Sequence, residues 1–150
     1  MFIGGEIVKK RIIWILIVIL VLTVNTINVL SDRSYSIDKF YVKAFLNEDG
    51  SMDIEESITY DFSGSFNGVY RTLKTAGSDG IADIKILINQ SDNYITAEES
   101  LSGNNNTYEA IKESDGIKLK IFSKSANQKK QFIIMYKVLN AAVKYNDVGE

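Results

Sequence analysis

The sequence contains no cysteine, no histidine and no proline. Without cysteine there are no disulfides and no thiolate nucleophiles or ligands, and without histidine as well a metal would have only oxygen ligands, which excludes zinc and iron sites of the usual kind. The missing histidine also removes the base that a Ser-His-Asp arrangement requires. No glycine-rich phosphate-binding motif is present: apart from Gly4-Gly5 the glycines stand singly, as at Gly50, Gly64, Gly68, Gly77, Gly80, Gly103 and Gly116, where they punctuate strand-like runs. The lack of proline leaves every such run eligible as a strand. No cofactor and no catalytic residue is expected.

Against these absences stands one long apolar run. Lys9, Lys10 and Arg11 precede Ile12 to Leu22 without a break, and no charge returns before Asp32. A basic cluster ahead of a hydrophobic stretch is read by the export machinery, with the positive side retained in the cytoplasm. Its dense part, Ile12 to Val24, has the length of a signal-peptide core, whereas the whole charge-free stretch to Ser31 just reaches the ~20 residues that span hydrocarbon. Val29-Leu30-Ser31 offers a cleavage site after Ser31. Two outcomes stay open: a signal peptide that is removed, or a single membrane anchor through residues 12–31. The division expected is 1–31 as signal or anchor and 32–150 as one extracytoplasmic domain, at the plasma membrane or, if cleaved, secreted. Gly4-Gly5-Glu6 can be encoded by a purine-rich ribosome-positioning tract, which makes Val8 a candidate start.

The charge balance is mildly acidic, with 19 Asp+Glu against 17 Lys+Arg. Dispersed lysines on such a chain argue against binding a phosphate backbone, so no nucleic-acid partner is expected.

After Asp32 the hydrophobic period is two. Met52, Ile54, Glu56, Ile58, Tyr60 and Phe62 share one strand face, opposite Asp53, Glu55, Ser57, Thr59 and Asp61; Glu56 is the discordant member. Phe40, Val42, Ala44 and Leu46 are expected as the apolar face of a preceding strand from about Ile37. Asn47-Glu48-Asp49-Gly50 joins the two as a hairpin turn. Further strands are expected over Gly68 to Leu73, Ile81 to Asn89, Thr107 to Lys112, Gly116 to Ser123 and Lys130 to Leu139, with a short one near Tyr94 to Ala97 and another at Ala141 to Tyr145. This pattern predicts an all-β, immunoglobulin-like antiparallel β-sandwich preceded by one N-terminal hydrophobic helix.

From Asn47 onward the residues carry a resemblance. Asn47-Glu48-Asp49-Gly50-Ser51, Glu56 to Phe62 and Gly64-Ser65-Phe66-Asn67-Gly68-Val69-Tyr70-Arg71, followed by Asp79-Gly80-Ile81, Gly116 to Ile121 and Val143 to Val148, resemble in order the N-terminal domain of a bacterial predicted-membrane-protein family, domain of unknown function 2207. The likeness covers most of Ser34 to Val148. It implies an export signal, an outward-facing β domain, then further membrane helices and a low-complexity tail, so a chain ending at Glu150 is expected to be a truncated member. The family pattern places a proline soon after the Tyr-Arg pair, which this chain lacks. It supplies no catalytic residues to carry over.

The expected function is therefore non-catalytic: an extracytoplasmic interaction or structural module of an uncharacterised membrane protein, meeting a protein or cell-wall partner at the cell surface. Tyr70 and Arg71, an aromatic and a cation in a glycine-flanked segment, are the candidate interaction residues. Two alternatives remain. Asp53, Glu55 and Asp61 alternate along one strand face at a spacing that glycoside hydrolysis tolerates, which would make the chain a carbohydrate-active enzyme; solvated charges on a half-wet strand are the simpler account. A nonfunctional remnant of a longer membrane protein is the other.

Overall fold

The computed structural model describes residue 14, residues 33–91 and residues 93–142. From residue 33 onward the described chain is all-β. Nine strands run in chain order: β1 (Ser34–Leu46), β2 (Met52–Ser63), β3 (Ser65–Lys74), β4 (Gly80–Gln90), β5 (Asn93–Thr96), β6 (Glu98–Glu99), β7 (Thr107–Glu113), β8 (Gly116–Ala126) and β9 (Lys129–Leu139). They form two sheets, one ordered β1-β2-β9-β4-β5 and the other β3-β8-β7-β6.

Alternation decides what each strand buries. On β2 the side chains of Glu56, Ile58, Tyr60 and Phe62 are buried while their neighbours are wetter. Ile86 and Ile88 of β4, Phe132 and Ile134 of β9, and Leu119 and Ile121 of β8 repeat the pattern, and together with Val69, Leu73 and Tyr108 they make one core cluster drawn from both sheets. Each large side chain so enclosed contributes about 1.5–3 kcal/mol of transfer free energy. Aromatic rings close one end: Tyr60 meets Phe132 edge-on at 5.7 Å, and Phe62 meets Phe66 of the second sheet at 4.9 Å.

The turns follow their residues. Asn47 N–H donates to the Ser51 carbonyl at 2.8 Å and Gly50 supplies φ +81°. Asp49 accepts from both the Ser51 amide (2.9 Å) and its hydroxyl (2.6 Å), and the hydroxyl bond chiefly holds its carboxyl below the usual range. The chain changes sheets twice at the opposite end, once through Gly64 between β2 and β3 and once between β8 and β9. These two crossings hold each other: Gly64 N–H donates to Asn127 Oδ1 at 2.7 Å, and Asn127 N–H donates to the Gly64 carbonyl at 3.2 Å.

Three details depart from the sequence reading. β6 is a two-residue strand that the sequence did not mark, and it pairs with β7 in parallel, so the second sheet is not wholly antiparallel. The expected strand at Ala141 to Tyr145 begins without strand geometry at residues 141 and 142, and its remainder lies outside the described residues. The largest departure concerns β1, whose Phe40, Val42, Ala44 and Leu46 were expected to be buried as the partner face of β2. The strand pairs with β2 over its full length, yet every residue on it is exposed. Among the described residues the other sheet ends at β3, with no strand beyond it to cover β1.

Candidate functional site

β2 brings Glu56 to the inner face of its sheet, where a carboxylate needs a partner to offset lost hydration. β3 provides one. Arg71 Nε donates to Glu56 Oε2 at 2.6 Å and Arg71 Nη2 donates to Oε1 at 2.8 Å, a bidentate pair reaching from one sheet to the other. From β9 the Tyr136 hydroxyl donates to Glu56 Oε1 at 3.0 Å. The Glu56 side chain is 5% exposed and that of Arg71 34%, so the carboxylate is enclosed while the guanidinium keeps one wet side.

The chemistry of both neighbours is altered by this carboxylate. The hydrogen bond to Glu56 raises the Arg71 pKa, against the opposing effect of burial. Burial first and the Glu56 charge second push the Tyr136 hydroxyl up. No buried side-chain nitrogen or oxygen among the described residues lacks a hydrogen-bond partner. Glu56, discordant in the sequence, is thus the acceptor at the centre of an Arg-Glu-Tyr cluster that ties the sheets together.

The wet side of Arg71 faces the uncovered part of β1. Its guanidinium lies 5.5 Å from the centroid of the Phe40 ring, a cation–π contact. Tyr35, Ile37 and Phe40 of β1, Ile58 and Tyr60 of β2, and Tyr70, Arg71 and Thr72 of β3 enclose an open groove of about 360 Å³. Tyr70 is 59% exposed, with Lys118 Nζ 5.2 Å from its ring centroid. The two candidate interaction residues are therefore adjacent in sequence but differ in surroundings: Arg71 is committed to Glu56, whereas Tyr70 stands exposed at the surface beside Lys118.

The carboxylates considered for glycoside chemistry are each engaged. Glu55 accepts from Lys43 Nζ at 3.0 Å, Asp53 accepts from Asn47 Nδ2 at 2.9 Å and lies 3.9 Å from Lys137 Nζ, and Asp61 lies 3.7 Å from Lys129 Nζ. Asp53 and Glu55 border a shallow depression of about 550 Å³ with Phe45, Asp83 and Met135, and Asp61 is not part of it. Among the described residues no group of three or more acidic residues is placed to hold a metal ion. Among them, too, no helix is long and apolar enough to cross a membrane. The run Ile12 to Ser31 lies, Trp14 apart, outside the described residues.

The sequence did not mark Tyr136 or the β1 surface as parts of this site. Tyr136 follows Met135 in an apolar strand with nothing to separate it from core. The β1 residues have an alternating pattern that reads the same whether the opposing sheet is present or missing.

These features define a class: an all-β domain of two sheets, tied by a buried ion pair and open at one corner. The chain belongs to the DUF2207 family of predicted membrane proteins, whose N-terminal domain matches residues 36–150. No curated protein and no solved structure matches it.

Proposed function

We propose that residues 32–150 form a non-catalytic, immunoglobulin-like sandwich displayed outside the cytoplasm, and that this module meets a protein or cell-wall partner at the cell surface. Residues 12–31 form the hydrophobic helix that attaches it to the membrane, unless cleavage after Ser31 releases it. Membership of a membrane-protein family supports the attachment, and Lys9, Lys10 and Arg11 support the orientation.

One observation carries the interaction reading: an edge strand with seven exposed large apolar side chains, Tyr35, Ile37, Phe40, Tyr41, Val42, Phe45 and Leu46. Soluble monomers rarely leave so long an apolar edge uncovered, and such patches mark contact surfaces. Tyr41 and Phe45 point to the side of the sheet away from the core, Tyr70 flanks the groove, and aromatic anchors of this kind dominate binding energy. The engagement of Asp53, Glu55 and Asp61 with lysines or an amide favours the surface-charge account of those residues over glycoside hydrolysis.

The test is photo-crosslinking from the full chain in intact cells. A photoreactive residue at Tyr41, Phe45 or Tyr70 should give a discrete adduct, and one at Asn105, in a distant loop, should not. Equal, diffuse labelling at all four positions rejects the interaction surface. A polysaccharide-cleaving activity abolished by Asp53→Asn or Glu55→Gln would establish the enzyme reading instead.

A further inference from the structure

We infer that β1 of one molecule pairs antiparallel with β1 of a second copy, Val42 against Val42, joining their five-stranded sheets edge to edge. This rests on the reading of β1 as a contact surface proposed above, and it names what occupies the edge.

The backbone comes first. Asn47 N–H donates to the Ser51 carbonyl at 2.8 Å, so Asn47 turns its peptide groups toward β2. Along an antiparallel strand these groups alternate, one residue facing the partner and the next facing away. Counting back from Asn47, the residues Leu46, Ala44, Val42 and Phe40 present their N–H and C=O groups to the far side of β1, where the sheet has no further strand among the described residues. Edge groups of this kind template the addition of another strand. Pairing with β2 is regular from Lys39 to Leu46, which leaves that stretch straight enough to accept one. The register shift between Ile37 and Lys39 ends it on one side and the Asn47 turn on the other.

The side chains then select the register. Lys39, Tyr41, Lys43 and Phe45 stand on the outward side of the sheet, opposite Thr59, Ser57, Glu55 and Asp53 of β2. Centring the pair on Tyr41 sets Lys39 against Lys43, and centring it on Lys43 sets that lysine against its own copy; like charges directly opposite are unfavourable. Centring on Phe40 runs the pair across the bulge, and on Ala44 across the turn. With Val42 at the centre, Lys43 meets Tyr41 of the second copy and Lys39 meets Phe45, so each cation lies beside an aromatic ring. These are the non-hydrogen-bonded pairs, in which facing Cα atoms approach to about 4.5 Å, while Val42 with Val42 and Phe40 with Ala44 exchange the backbone hydrogen bonds. Lysines that guard an edge against other strands here complement a copy of the same strand. A twofold axis normal to the sheet keeps like faces together, so the inner face of β1 and the groove beside Tyr70 and Arg71 stay open in both molecules.

The experiment is disulfide trapping with a mild oxidant in membranes of cells expressing the full chain, which has no cysteine of its own. Val42→Cys should give a species of twice the mass, because the facing Cα atoms lie about 5.5 Å apart, within disulfide reach. Phe45→Cys should not, since Phe45 faces Lys39 and its own copy lies about 20 Å further along the strand. Random collision would favour Phe45, which is 69% exposed against 52% for Val42. In detergent, Tyr41→Lys should raise the dimer dissociation constant about tenfold or more by sedimentation, and Tyr41→Phe should leave it nearly unchanged. Disulfides at neither position, or at both alike, overturn the proposal. A discrete photo-adduct from Tyr41 whose mass is not that of two chains overturns it and leaves the contact surface standing; diffuse labelling with no disulfide rejects both.

Discussion

At the scale of single residues the Glu56 cluster dominates. Removing one partner of an enclosed ion pair leaves the other without compensation, so Glu56→Ala should lower stability by about 3 kcal/mol in urea denaturation. Replacing both, as Glu56→Leu with Arg71→Met, should recover much of that loss, because the cost lies in the orphaned charge and not in the absence of the pair. The pH dependence follows from Tyr136. Its folded pKa lies above the usual value of 10.0, so the neutral hydroxyl is the form the fold favours. That stability is complete below about pH 10 and declines as the pH rises toward the folded value. Tyr136→Phe should therefore flatten the alkaline arm of the stability profile, measured by denaturant midpoints from pH 8 upward. How these residues were legible is instructive. Glu56 stood out because it broke an apolar alternation, and Arg71 because a cation followed an aromatic between glycines. That they belong together was hidden, since fifteen positions separate them and they meet across two sheets, where no periodicity registers.

At the scale of elements, β1 and the turn after it make opposite demands. Gly50 has φ +81°, and a side-chain carbon there would come within 2.6 Å of the Ala142 carbonyl oxygen. Gly50→Ala should cost about 1–3 kcal/mol of stability, read from the thermal or urea transition. Phe45→Asp, at a side chain 69% exposed, should change stability by less than about 0.5 kcal/mol in the same assay. The strands themselves were largely readable, because alternation over Met52 to Phe62, Ile84 to Ile88 and Ile117 to Ile121 reports a strand with one dry side. What alternation does not report is whether anything lies opposite, and that is why β1 emerged exposed. β6 escaped notice because two residues carry no period. The bulge in β4, where Asp83 takes φ 55° and the register against β9 shifts, left no mark in the local pattern either.

At the scale of the whole molecule, family membership and the basic-then-apolar start make one expectation measurable. After expression and fractionation the chain should sediment with membranes if residues 12–31 are retained, and a product beginning at Asp32 should appear in the soluble extracytoplasmic fraction if they are cut. N-terminal sequencing distinguishes the two. The all-β character and most of the strands could be anticipated from pattern, whereas the assignment of strands to sheets depends on where the chain crosses, at Gly64, between Lys74 and Gly80, at Ala97 and near Asn127. That routing has a mechanical meaning. The described β domain is entered at Ser34, opposite Ser63, and left at Ala142, beside Gly50, so its two ends lie at opposite ends of the β1 and β2 ladder. Tension applied between them runs along the strands, loading the rungs of that ladder together in shear and not one after another as in unzipping. A domain routed this way is suited to bear a pull between whatever holds its beginning and whatever holds its end.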